Sequence, residues 1–305
     1  MSYYLGIDGG GSKTTCAIGD ETAVLANVTA GPSNVVRVGE ARACESLYQG
    51  VRQACTAAGI TPQQITRTCI GAAGAAREET AGIVRRILEK ILPPAIDVVT
   101  DTEIALEAAF GAGPGVIVIA GTGSIAYGRD SHSTTARAGG WGFAIGDEGS
   151  AHWIGRSAVS AVLRETDRTY GTAESLLHAE FTTALCRAWG VKSIFDLART
   201  ANASPPPDFA ALFPAVAESK DVLALQVLSN AGLELARIAA VVISRLFAAD
   251  EYKVVPVAMV GSVFRHASLT KGDFYNELRR LDPRVEIYPQ LVDPVGGALR
   301  LARKS

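Results

Sequence analysis

Residues 6–14 read GIDGGGSKT: an acid, Asp8, then three glycines, a serine and a lysine. Glycine lets the backbone turn through positive φ and lets an anion approach its N–H groups, so these residue types suit phosphate. Spacing separates the designs that share this vocabulary. A P-loop needs Lys directly after its last glycine, but Ser12 stands there and Lys13 comes one residue late. The segment that follows, TTCAIGD (14–20), reads as a strand, so no helix N-terminus faces the phosphate. A dinucleotide fingerprint at Gly121, Gly123 and Ala126 fails in the same way, since a strand again follows where a helix is needed. What remains is a glycine-rich hairpin turn acting as an anion nest. For one such turn alone, an ordinary hairpin is the plainer reading.

The turn occurs twice. I7-D8-G9-G10-G11-S12 aligns with I119-A120-G121-T122-G123-S124, and Ala120 replaces Asp8 in the second copy. A single acid suits a Mg²⁺ ion that keeps most of its water. Around each turn the same elements repeat. Strands are expected at 3–8, 14–20 and 22–30, a helix over 40–58, a strand at 67–73, a helix around 79–91, a strand at 95–100 and a helix from Asp101. The pattern then restarts with strands at 115–121, 124–130 and 134–140 and a helix from about 150 to 165. A mainly helical insertion covers about 165–250. A strand at 254–262, a helix at 274–281, a strand at 285–289 and a helix at 295–303 follow. A duplicated unit implies two similar lobes with a ligand cleft between them, across which two turns hold a polyphosphate. The expected division is an N-terminal lobe of 1–115, joined by a C-terminal helix at 292–305, and a C-terminal lobe of 116–291.

Bulk properties narrow the function classes. The 305 residues have a net charge of −2 and no Lys/Arg-rich stretch, so neither nucleic acid nor an anionic membrane is expected as a partner. No uncharged apolar run reaches the length of a spanning helix, and the start does not read as a secretion signal. Five cysteines without a CxxC pair suit reduced thiols in the cytoplasm. The four histidines (132, 152, 178, 266) are scattered, which disfavours a metal cluster or catalytic triad.

DGGGSKT, AGTGS, VAMVGSVF (257–264) and above all GGWGFAIGDEGSAHWIG (139–155) resemble the sugar kinase, Hsp70 and actin superfamily of ATPases. Within it they are similar to the N-acetylglucosamine kinase branch, of the BadF/BadG type, grouped with benzoyl-CoA reductase-type and dehydratase-activating ATPases. The resemblance implies an α/β, two-lobed fold of duplicated ribonuclease H-like units. It implies ATP contacts at Gly10, Gly11, Ser12, Lys13, Gly121, Thr122, Gly123, Ala210, Gly261 and Ser262, with Mg²⁺ at Asp8 through water. Sugar contacts are implied at Asn34, Asp101, Gly140, Trp141, Gly142 and Asp147.

Each assignment competes with a plainer one. Spacing alone makes Asp101 a helix cap, because TDTE (100–103) has capping-box spacing. The resemblance instead implies the catalytic base, which orients a sugar hydroxyl and accepts its proton. Asn34, after Gly31-Pro32-Ser33, is by itself a turn asparagine. Asp147 and Glu148, set between Gly146 and Gly149, suit vicinal hydroxyls, with Trp141 as an apolar wall; capping by Asp147 or Ser150 is the alternative. The activity implied is phosphorylation of N-acetylglucosamine at its 6-hydroxyl by ATP. Glucosamine kinase is the near alternative and a nucleotide-switched activator ATPase without a sugar the distant one. The zinc motif of another bacterial sugar kinase family and the cluster-ligating cysteines of the activator ATPases are both absent. Partners expected are a small-molecule sugar and ATP, with a homodimer allowed.

Overall fold

The computed structural model describes residues 2–170, 177–247 and 253–304. The chain forms two compact units, residues 1–114 with 292–305, and residues 115–291.

The first unit begins with β1 (Tyr3–Gly9), β2 (Thr14–Gly19) and β3 (Val24–Ala30), followed by a short α1 (Val35–Val38) and α2 (Glu40–Ala58). Ala43, Leu47, Val51, Ala54 and Cys55 recur at helical spacing along α2 and are buried. Then come β4 (Ile65–Ala72), α3 (Glu78–Glu89), β5 (Ile96–Thr100) and α4 (Asp101–Phe110). The sheet order is β3-β2-β1-β4-β5. The hairpin strands pair antiparallel, whereas β4 pairs parallel to β1 and β5 parallel to β4, with α2 and α3 as crossovers.

The second unit repeats this plan. β6 (Gly115–Ala120), β7 (Ser124–Arg129) and β8 (Thr135–Gly139) lead into α5 (Ala151–Thr169). After α6 (Ala179–Ala188), α7 (Ile194–Ala201), a 3-10 turn (Phe209–Leu212), α8 (Phe213–Glu218) and α9 (Val222–Leu246) come β9 (Val255–Val260), α10 (Ser262–His266), α11 (Ser268–Leu281) and β10 (Val285–Leu291). Its sheet order, β10-β9-β6-β7-β8, is that of the first sheet read from the other end. The antiparallel and parallel pairings also correspond strand for strand. α12 (Pro294–Arg303) belongs to the first unit.

One face of the first sheet packs Leu5, Ile7, Ile18 and Ile70 against Leu47 and Leu88. The other face is covered by α12 and α4, where Cys69, Ile104, Ala298 and Ala302 meet. The close approach of α12 requires glycine twice: a Cβ at Gly6 of β1 would collide with the backbone of Leu299, and one at Gly297 with the backbone of Ile104 and Ala108. The second unit buries one large core, in which α9 contributes Ala224, Leu228, Leu235, Ala239 and Ile243. Among the described residues α9 alone is long and apolar enough to cross a membrane, and it lies in this core with half of that stretch buried.

Boundaries differ from the sequence reading in a few places. α5 continues to Thr169, α11 begins at Ser268, and β10 extends to Leu291. The helices at Val35–Val38 and Ser262–His266 are too short to show a period. Parts of the expected insertion, 171–176 and 248–250, lie outside the described residues.

Candidate active site

In the first unit, the register sets Gly9 of β1 beside Ala72 of β4, and Ala72 beside Thr100 of β5. Asp8 and Asp101 therefore stand at the carboxyl ends of two parallel strands, β1 and β5, with β4 between them, on the edge where α/β sheets usually bind ligands. Gly10, Gly11, Ser12 and Lys13 form the turn between β1 and β2, closed by Gly10 N–H donating to Lys13 O at 3.0 Å. Gly10 O accepts from the N–H groups of Ser33 and Asn34 at 3.1 and 3.2 Å. Thr14 Oγ1 donates to Gly31 O and bonds Ser33 Oγ, both at 2.7 Å. The loop carrying Asn34 is thus fastened to the glycine turn. Asn34 is the N-cap of α1: its Oδ1 accepts from Arg37 N at 3.3 Å, and its amide N–H₂ is not used in the cap.

The capping box at 100–103 is real, but Asp101 is not its cap. Thr100 accepts from Glu103 N at 3.2 Å, and Glu103 Oε2 accepts from Thr100 N at 2.8 Å. Asp101 is the first residue of α4, half-buried, with Oδ1 accepting from Thr102 N at 3.0 Å. Burial holds its carboxyl above the usual range despite that bond. Asp8 is pushed up to about 7, first by burial, then by the negative charges of Asp101 and Asp293, with Lys13 opposing.

Asp293 is absent from the sequence-level set. It is the N-cap residue of α12, and its side chain makes no capping bond. The only local signal is the Asp-Pro pair that opens the helix. The residues present fit a hydrated cation. Among the described residues no three His, Cys, Asp or Glu side chains close into a metal cage. Even so, Asp8 sits among carboxylates whose repulsion a cation would relieve.

In the second unit, Gly121, Thr122 and Gly123 form the β6–β7 turn, with Gly121 N–H donating to Gly123 O at 3.0 Å. The turn meets the start of α5: Ala151 N–H donates to Gly121 O at 2.8 Å and His152 N–H to Thr122 O at 3.3 Å. Gly261 lies against the same turn, since a Cβ there would come within 3.1 Å of Gly121 N. Ser262 opens α10 directly after it. Ala210 is on the 3-10 turn, which packs on Gly155 of α5, and its N–H donates to Asp208 Oδ1 at 3.0 Å.

Gly139, Gly140 and Gly142 take φ values of 72°, 68° and 97°, a left-handed run that bends the chain sharply around Trp141. Asp147 has φ 60° without being glycine, a strain of the kind that gathers at functional sites. Its Oδ1 accepts from Gly142 N at 3.2 Å, and a Cβ at Gly123 would meet its Oδ2 at 2.7 Å. One buried carboxyl therefore joins the Gly140-Trp141-Gly142 loop to the second glycine turn, and burial raises its pKa. Capping of α5 falls to Ser150, whose Oγ accepts from Trp153 N at 3.1 Å. In each unit, then, the acid singled out from sequence is relieved of capping by a neighbouring hydroxyl.

The sequence matches the BadF/BadG/BcrA/BcrD ATPase family over residues 5–302. It is 32% identical over 310 aligned positions to a Clostridium acetobutylicum N-acetylmuramic acid/N-acetylglucosamine kinase, covering 99% of each chain. It is also 32% identical to a Dictyostelium discoideum N-acetyl-D-glucosamine kinase over 176 positions, 54% of this chain and 55% of that one. Among solved structures, a Chromobacterium violaceum protein provisionally named N-acetylglucosamine kinase matches with a TM-score of 0.76 and 25% identity, over 99% of both chains.

Proposed function

The chain belongs to the BadF/BadG/BcrA/BcrD ATPase family, and from that premise we propose that it is an amino-sugar kinase transferring the γ-phosphoryl group of ATP to the 6-hydroxyl of N-acetylglucosamine. The observation that carries this reading is the position of Asp101. Thr100 and Glu103 cap α4, which leaves the half-buried Asp101 carboxyl without that capping role, on the same edge of the sheet as Asp8. Its raised pKa suits the acceptor of a hydroxyl proton.

The remaining roles follow from local chemistry. The N–H groups of Gly10, Gly11 and Ser12, with the charge of Lys13, would receive phosphate in the first unit; Gly121, Thr122 and Gly123 would do so in the second. Gly261 and Ser262, adjoining Gly121, would meet the nucleoside, and Ala210 is the remaining candidate nucleotide contact. Asp8 would hold Mg²⁺ through water, and the cation would neutralise charge on the transferred group. Asn34, with a spare amide, and the loop of Gly140, Trp141, Gly142 and Asp147 would contact the sugar. The five cysteines are free thiols, in keeping with a cytoplasmic enzyme.

The test is Mg²⁺-ATP turnover against N-acetylglucosamine, glucosamine, N-acetylmannosamine, glucose and no sugar, with products identified by mass spectrometry. One amino sugar should stimulate turnover, and Asp101→Asn should lower that rate about a hundredfold or more while nucleotide still binds. Turnover indifferent to every sugar would instead favour the activator ATPase.

A further inference from the structure

The carbonyl of Gly10 is used twice. It accepts from the N–H groups of both Ser33 and Asn34, at 3.1 and 3.2 Å, so the loop that carries Asn34 is anchored on a single peptide of the glycine turn. That peptide is trans, as is every described peptide bond except Ser204–Pro205. In a trans peptide the carbonyl and the following N–H point to opposite sides of the chain. Holding Gly10 O against the Asn34 loop therefore turns the Gly11 N–H away from it, and that N–H has no partner among the described residues. One side of the peptide anchors the candidate sugar contact, and the other offers a donor to an anion.

A pair of hydroxyls joins the same two segments. Thr14, the first residue of β2, is fully buried; its Oγ1 donates to Gly31 O and bonds Ser33 Oγ, both at 2.7 Å. Ser33 is buried as well, and its Oγ lies against Gly9, where a Cβ would come within 3.0 Å of it. Sealed from solvent, the Thr14 side chain can act only through its neighbours.

A donor and an acceptor on one peptide polarise each other, so an anion drawn to the Gly11 N–H makes Gly10 O a stronger acceptor. We propose that this peptide couples the two substrates: phosphate received at Gly11 N–H tightens the anchor of Asn34. Thr14 is the positioning residue, because it holds the loop within reach of Gly10 O. This rests on the reading of Gly11 as a phosphate contact and Asn34 as a sugar contact.

The affinity for N-acetylglucosamine is measured by calorimetry with and without a saturating nonhydrolysable ATP analogue and Mg²⁺, and the ratio is the coupling. In the wild type the analogue should tighten the sugar about fivefold or more. Thr14→Val keeps the shape and removes the hydroxyl; the ratio should fall below about twofold, with the affinity for the analogue alone changed by less than about the same factor. Thr14→Ser, which keeps the hydroxyl, should retain the wild-type ratio. Ser33→Ala, which leaves the bond from Thr14 to Gly31 O in place, should lower the ratio by less than Thr14→Val and tests the same point if that variant does not fold. A role confined to stability would lower the Tm and leave the ratio where it was. An unchanged ratio in the folded variants, or no coupling in the wild type, overturns the inference and spares the kinase reading. If the wild type binds the analogue and not the sugar, both fall.

Discussion

With its carboxyl pushed up to about 7 by burial and by Asp101 and Asp293, Asp8 couples folding to pH. In the unfolded chain it ionises near 3.8, so the folded state binds the proton more tightly. The stability that this adds is complete below about pH 4 and is lost as pH rises through about 7. In the metal-free protein, Asp8→Asn should remove that fall and raise stability at pH 8 by on the order of 3 kcal/mol. Thermal melts from pH 5 to 8 test this, and parallel pH dependence of wild type and variant would refute it. Mg²⁺ should raise the Tm of the wild type at pH 8 and leave the variant unmoved. Asp8 was legible because it adjoins three glycines in sequence. Asp293 was not, because its nearness to Asp8 is made by α12 packing on β1.

The helix α12 meets β1 through Gly6 and α4 through Gly297, so two elements approach it at backbone distance. Gly297→Ala would push a methyl group into the backbone of Ile104 and Ala108, which have no side-chain freedom to yield. Overpacking of this kind costs about 1–3 kcal/mol, and chemical denaturation should show it. Gly296→Ala, whose Cβ would meet nothing within 4 Å, is the control. At the start of α4, Thr100→Ala should cost about 1 kcal/mol through loss of the cap. It should also lower sugar-dependent turnover by disturbing Asp101, measured with substrate saturating. Capping-box spacing was visible in TDTE; which residue caps depends on where the strand ends, and that the letters do not state.

The first unit is assembled from both ends of the chain, residues 1–114 and 292–305. α12 covers one face of its sheet with Val295, Ala298, Leu299 and Ala302. Arg303 ties this helix to the β2–β3 turn, donating to Asp20 O at 2.7 Å and Ala23 O at 2.6 Å. Lys304 Nζ reaches the buried Glu107 Oε2 of α4 at 2.8 Å. A chain ending at residue 291 would expose this apolar face and leave Glu107 without its lysine. It should accumulate as an insoluble or protease-sensitive product, and a soluble chain with native secondary structure by circular dichroism would count against this account. At this scale the duplication could be read in the repeated glycine turns, and both sheets bear it out with the same strand order.

Alternating and helical periods, glycine turns and their repetition determined the α/β class, the duplicated units and most of the strands and helices. These are local properties, written in the identities of neighbouring residues. The tertiary structure decided which hydroxyl caps which helix, that Asp293 joins the acids of β1 and α4, that Asp147 links two loops, and that Arg137 stacks on Trp141. Each of these rests on where a strand stops, how a turn bends or which backbone a glycine admits. Such contacts are set by packing in three dimensions, and no run of neighbouring letters contains them.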